Sequence, residues 1–203
     1  MTTTDASLNI AFVIYDGFTT LDFIGGYDAL TRLKTMHVLP DVRWDVCAPE
    51  TPVTDQTGLR IEADTIEGSL APYDLVFVAG GNGSRKLMDD VAFISWIRTA
   101  REDALKASVC TGALLLGAAG FLQGRRATTH PNAFAHLAPF CREVVADERI
   151  VDEGDVVTAR GVTASIDLGL HLCERIAGIA AAERIRTQMD YPYRYERPAP
   201  VTE

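Results

Sequence analysis

The segment Leu8–Tyr15 (LNIAFVIY) is a near-continuous apolar run, and it limits the fold more than any other feature of the chain. A strand with one face in water alternates polar and apolar residues. A run without alternation suits a strand covered on both faces, as in a parallel sheet with helices above and below. Asp74–Ala79 (DLVFVA) and Ala107–Cys110 read as further strands of this kind, with Arg43–Ala48 as another. Between them the spacing predicts helices at Thr20–Leu33, Val91–Leu105 and Thr111–Leu122, the last following Cys110 without a gap. Farther along, Glu143–Val145, Ile150–Asp152 and Val156–Ala159 read as short strands, with Glu153-Gly154-Asp155 as a hairpin turn. Thr163–Ile179 and Ala181–Met189 read as helices, and Tyr191–Glu203, which holds Pro192, Pro198 and Pro200, as an extended tail. Strands alternating with helices predict an α/β sandwich, with a mostly parallel sheet, helices on both faces and a small β-hairpin. At 203 residues the expectation is a single domain, 1–203, with a core of about residues 8–190.

Charge and cysteine usage narrow the function classes. Lys and Arg number 19 against 28 Asp and Glu, a formal net charge of −9, which argues against wholesale nucleic-acid binding. The N-terminus shows no signal-peptide pattern, and the longest apolar-rich run, Thr111–Leu122, is too short to span a bilayer. Cys47, Cys110, Cys141 and Cys173 form no C-x-x-C pair and no metal-finger spacing with His. The expectation is a cytoplasmic protein with free thiols, no metal and no membrane partner.

Lys106–Gly112 (KASVCTG) is the stretch with the most chemical content. A strand ends at Cys110 and a helix begins at once. In open α/β sheets ligands bind beyond the carboxyl ends of the strands, and a strand-to-helix elbow holds its central residue exposed. The helix dipole favours an anion there by roughly 0.3–1 kcal/mol, up to about 2 when partly buried. That predicts a lowered thiol pKa, with the Thr111 and Gly112 N–H groups as donors for a developing charge. Position alone leaves this reading balanced against an ordinary buried cysteine. Gly80-Gly81-Asn82-Gly83, after another strand, is either a second ligand-facing loop or a plain βα turn. For Asp22, composition favours an exposed first-turn residue over a catalytic acid. His130 is either the partner of a Cys–His pair or a loop residue ahead of Pro131.

The pieces YDGFTTLDFIGGYDAL, VFVAGGNG, SVCTGALLLGAAGFLQGRRATTH and GVTASIDLGLHLCERI resemble the DJ-1/PfpI (ThiJ, class I glutamine-amidotransferase-like) superfamily over about residues 8–190. Within it, they resemble most the isonitrile-hydratase branch. The resemblance implies a flavodoxin-like fold, a homodimer and Cys110 as nucleophile. Where most members carry Glu, it puts Asp22, as that branch does. It implies that Cys110 and Asp22 add water to an isocyanide, giving an N-substituted formamide without a cofactor. The Thr111 hydroxyl would bond Asp22 or the substrate, and Gly81, Asn82, Gly112 and Gly161 would hold charge or substrate, with His130 ranked lower. Gly26 departs from a Pro of the branch pattern, and Arg160 from a more Gly-rich loop. The same motifs occur in the ligand-sensing half of AraC-type regulators and in glyoxalase III-like enzymes. With the chain ending at Glu203 and a charge of −9, an enzyme is expected rather than a DNA-binding regulator.

Overall fold

The computed structural model describes residues 7–193. The elements run β1 (Leu8–Val13), α1 (Thr20–Thr35), β2 (Val42–Ala48), β3 (Val53–Thr54), β4 (Arg60–Ile61), β5 (Thr65–Ile66) and β6 (Leu75–Val78). They continue with α2 (Ser84–Leu87), α3 (Val91–Ile97), β7 (Leu105–Val109), α4 (Gly112–Ala118), β8 (Arg126–Ala127), α5 (Phe134–Leu137) and β9 (Glu143–Val144). The last are β10 (Ile150–Asp152), β11 (Val156–Ala159), α6 (Ala164–Ala177) and α7 (Ile179–Gln188). The strands form a seven-stranded sheet in the order β10-β11-β7-β6-β1-β2-β5. It is parallel except for the β10–β11 hairpin. Helices α1, α6 and α7 pack together on one face, and α2, α3 and α5 pack around α4 on the other. This is the α/β sandwich that the apolar strands predict, with the flavodoxin-like arrangement that the resemblance implies.

Register puts the functional loops side by side. Val13 pairs with Val78, Val78 with Ser108, and Val109 with Ala159. The residues that follow β1, β6, β7 and β11 therefore emerge together at one edge of the sheet. β1 has β2 on one side and β6 on the other, so the chain reverses its winding direction between β1 and β6. Such a reversal opens a crevice at the carboxyl ends of the strands.

An aromatic cluster sets how α1 lies on the sheet. Phe12 on β1 meets Phe23 (centroids 5.9 Å apart), Tyr27 (5.1 Å) and Phe77 (5.7 Å). Each such pair adds about 0.5–1.5 kcal/mol beyond the area it buries. Gly26 lies over the Phe77 ring, so the departure noted there bears on packing of α1. From α6, Ser165 Oγ donates to Leu21 O at 2.8 Å. With Phe23 turned to the sheet and Leu21 tied to α6, Asp22 faces the crevice.

Several elements depart from the sequence reading. α3 ends at Ile97, well short of Leu105, because Leu105 opens β7 opposite Leu75. The Thr99 hydroxyl also caps the Trp96 carbonyl at 2.7 Å. α4 stops at Ala118, and a turn through Gly120 replaces its expected last turn. Glu143–Val144 pairs with Arg126–Ala127 in a separate two-stranded sheet, outside the main one. The expected tail falls mostly on residues 194–203, which lie outside the described residues.

Candidate active site

Asp22 sits in the first turn of α1 and is completely buried. The exposed position favoured by composition is therefore wrong, because Phe23 and the α6 contact turn Asp22 inward. Its Oδ2 accepts from Gly80 N at 3.1 Å. Among the described residues its Oδ1 has no partner of proper hydrogen-bond geometry. Burial pushes the carboxyl pKa up to about 7, against the pull of a hydrogen bond from Cys110 and that from Gly80.

Cys110 stands at the elbow between β7 and α4 with φ +54°. A non-glycine residue in this left-handed region costs of order 1–3 kcal/mol and persists where its surroundings fix it. Here they do. Cys110 N donates to Arg160 O at 2.8 Å and to Ala159 O at 3.1 Å, and Cys110 O accepts from the Thr129 hydroxyl at 2.7 Å. The Thr111 and Val162 N–H groups lie toward the sulfur and favour its thiolate form. Val162 itself has φ +26°, an outlier for a β-branched residue.

The thiol pKa corrects the sequence reading. It is pushed up to about 11, first by burial and then by the negative charge of Asp22, and the two N–H donors offset only part of this. A seven-residue helix start does not outweigh desolvation. Near pH 7 the resting pair is therefore a thiol beside a carboxyl close to half ionised.

Gly80 closes the pair. A Cβ there would lie 2.7 Å from Asp22 Oδ2, 2.8 Å from Cys110 Cβ and 2.6 Å from Thr111 N. Asp22 Oδ2 and Cys110 Cβ are thus no farther apart than the sum of the first two distances. Only a residue without a side chain leaves room for that approach.

The remaining expected residues are placed differently from one another. The Thr111 hydroxyl bonds neither Asp22 nor open space. It accepts from Gly81 N at 2.8 Å and donates to Gly81 O at 2.9 Å. The Gly81 N–H is consequently engaged inside the protein and is not a free donor for charge. Asn82 is exposed, with its side chain toward Arg85. Gly112 packs α4 against the carbonyls of Val78 and Ala79. His130 is not paired with the thiol. Its Nδ1 lies 2.7 Å from Asn132 Oδ1, and its ring edge covers Gly161, where a Cβ would come within 2.5 Å of Cδ2.

Three residues escaped the sequence reading. Val162 aims its N–H at the sulfur, and Thr129 holds the Cys110 carbonyl. Tyr15, fully buried, donates from its hydroxyl to Ala79 O at 2.8 Å. Burial raises the Tyr15 pKa well above its ordinary value, and the charges of Asp22 and Cys110 raise it further. Tyr15 lies at the carboxyl end of the β1 apolar run, the position where α/β folds place ligand-facing residues. Nothing in the sequence signals the Val162 backbone.

Beside the pair an open cleft of about 500 Å³ is lined by His130, Asp147, Arg149, Arg160, Gly161 and Val162, among others. Among the described residues, no cluster of His, Cys, Asp and Glu is placed to hold a metal ion. No helix there is long and apolar enough to cross a membrane.

Residues 8–175 match the model of the DJ-1/PfpI family. The chain is 36% identical over 187 residues to an isonitrile hydratase of Pseudomonas putida, covering 91% of this chain and 79% of that one. It is 30% identical to the HTH-type transcriptional regulator CdhR of Pseudomonas aeruginosa, over 87% of this chain but only 53% of the regulator. Among solved structures it superimposes on a ThiJ/PfpI family protein of Pseudomonas syringae with a TM-score of 0.82 at 27% identity, covering 98% of this chain and 80% of that one. Drosophila melanogaster DJ-1beta, at 21% identity, shares the fold with a TM-score of 0.80, over 93% and 100% of the two chains. Its sequence and its fold agree: the chain belongs to the DJ-1/PfpI family.

Proposed function

We propose that this chain is a cofactor-independent hydro-lyase that adds water to an isocyanide to give an N-substituted formamide. The buried Asp22–Cys110 pair carries this reading: a thiol and a carboxyl with a pKa of about 7 meet behind Gly80. A general acid–base works best with its pKa near the working pH. The likeness to an isonitrile hydratase supports the choice of substrate.

An isocyanide carbon is attacked by sulfur only if it also gains a proton. Cys110 Sγ forms a bond to the terminal carbon, and the thiol proton passes through Asp22 to that carbon, giving a thioimidate. Water then adds to the same carbon while Asp22 carries one of its protons to the nitrogen. The C–S bond breaks, the formamide carbonyl forms, and the hydroxyl proton returns to the sulfur. One isocyanide and one water give one formamide, with both enzyme groups restored. The Thr111 and Val162 N–H groups stabilise the thiolate as it forms. In this reading the enzyme is a cytoplasmic homodimer acting on a small molecule.

The test is turnover of p-nitrophenyl isocyanide beside methylglyoxal. Hydration of the isocyanide is expected, and Cys110→Ala and Asp22→Asn each reduce kcat by at least about a thousandfold. Turnover of methylglyoxal alone moves the reading to glyoxalase-like chemistry. The regulator relative favours a second reading, a ligand-sensing module. If neither substrate is consumed while a metabolite raises Tm, that reading replaces the first.

A further inference from the structure

The cleft beside Cys110 has a charge pattern that an isocyanide group by itself does not require. Arg149 and Arg160 both line it, but they are held differently. Arg149 is committed to protein partners: Nε pairs with the buried Asp167 carboxylate at 2.5 Å, and Nη2 donates to Thr163 Oγ1 at 3.1 Å. Arg160 pairs with no carboxylate among the described residues. Its guanidinium lies over the Phe134 ring, 5.6 Å from the centroid, and Nη1 donates to Ala146 O. Stacking and one carbonyl bond orient the planar fork and leave most of its five donors unused. The main chain of Arg160 also belongs to the nucleophile's support, since its carbonyl accepts from Cys110 N at 2.8 Å, and Val162 two residues on contacts the sulfur. A group held at Arg160 would therefore lie in the cleft whose wall, at Val162, adjoins Cys110.

Resting on the hydratase reading, we propose that Arg160 determines specificity by binding a carboxylate on the substrate, so that the preferred substrate class is an isocyanide bearing a carboxylate. A guanidinium binds a carboxylate through two parallel N–H···O bonds, which fixes orientation as well as charge. Thr163 lines the same cleft, and its hydroxyl proton is a further donor because its oxygen accepts from Arg149. Asp147, exposed on the same cleft, opposes the anion. It limits the carboxylate to the Arg160 side.

The experiment compares 4-isocyanobenzoate with its methyl ester in the full chain, Arg160→Gln, Arg160→Lys and Asp147→Asn, with Tm recorded for each. The wild-type chain is expected to favour the acid in kcat/KM by about tenfold or more, chiefly through KM. Arg160→Gln lowers that acid-to-ester ratio by about tenfold, Arg160→Lys by less, and Asp147→Asn raises it. Added salt reduces the ratio. An Arg160 that serves only to hold the Phe134–Ala146 region shifts both substrates equally, and an unchanged ratio overturns the proposal. Calorimetric binding of benzoate against benzamide, with and without Arg160→Gln, needs no turnover. Benzoate binding that depends on Arg160, without hydration of either isocyanide, retains the anion site and removes the hydratase reading. Hydration of both isocyanides with a ratio indifferent to Arg160→Gln, and no preference for benzoate, removes the anion site alone.

Discussion

The two flanks of Cys110 are built on opposite principles. On the Asp22 side, nearly every polar group is used up by the protein. Gly80 N goes to Asp22, Thr19 N to Gly80 O, and both Gly81 groups to Thr111, with Phe18 bridged to Gly81. On the other side lies the open cleft, with Asp147 exposed, Arg160 half-buried and the His130 side chain turned to Asn132 and Gly161. A closed flank that leaves one carboxylate oxygen without a well-formed bond stores reactivity. Under the proposed function, an open flank with unspent charge selects what enters, and reaction and recognition are separated on either side of one sulfur.

The hardest way to break the closed flank is Gly80→Ala. The added methyl meets Asp22 Oδ2, Cys110 Cβ and Thr111 N, all under 3.0 Å and two of them tied to main chain. Overpacking of this kind costs typically about 1–3 kcal/mol, and it forces the pair apart. Turnover is expected to fall at least about a hundredfold while far-UV circular dichroism keeps its native form. Retained activity would show that Asp22 and Cys110 need no such close approach.

Asp22 sharpens the contrast through pH. Its pKa rises from the ordinary 3.8 to about 7 on folding, so the native state holds the extra proton between those values. Stability from this group is complete below about pH 4 and is lost as pH rises through 7. Three pKa units set an upper bound of about 4 kcal/mol. Asp22→Asn cannot ionise, so its Tm is expected to exceed the wild-type value at pH 8 and to approach it at pH 4, while hydration is lost. In the wild-type chain kcat/KM for the proposed hydration is expected to rise through an apparent pKa near 7, a property of the coupled pair. Equal Tm differences at both pH values would place the carboxyl in an ordinary polar setting.

Legibility in the sequence follows the same division. The sheet was readable because strands buried on both faces need uninterrupted apolar runs, and Leu8–Tyr15 supplies one. Cys110 was readable because a strand ending in a thiol and passing straight into a helix leaves the elbow nowhere else to go. The environment of those groups was less legible. Asp22 reads as exposed until Phe23 packs on Phe12, and the thiol reads as acidified until burial and the Asp22 charge are weighed against two N–H donors. Thr129 acts through a hydroxyl on the Cys110 carbonyl and Val162 through its main-chain N–H, both brought to the elbow from distant parts of the chain, which no local pattern encodes. Residues 98–104 read as helix because their spacing is helical. The pairing of Leu105 with Leu75 and the Thr99 cap on the Trp96 carbonyl end α3 early.

The smallest effect is expected at His130, and it tests whether the open flank takes part in proton transfer. A Cys–His pair would require an imidazole nitrogen on the sulfur. Here Nδ1 is turned to Asn132, whose N also approaches it at 3.2 Å, and the opposite ring edge lies on Gly161. Its contribution is to brace the loop that carries Val162. His130→Gln is therefore expected to lower kcat no more than about threefold and to leave the pH–rate midpoint unmoved, since Asp22 and Cys110 set it. A loss of a hundredfold, or a midpoint displaced by about a unit, would transfer the proton chemistry to the histidine and erase the division between the flanks.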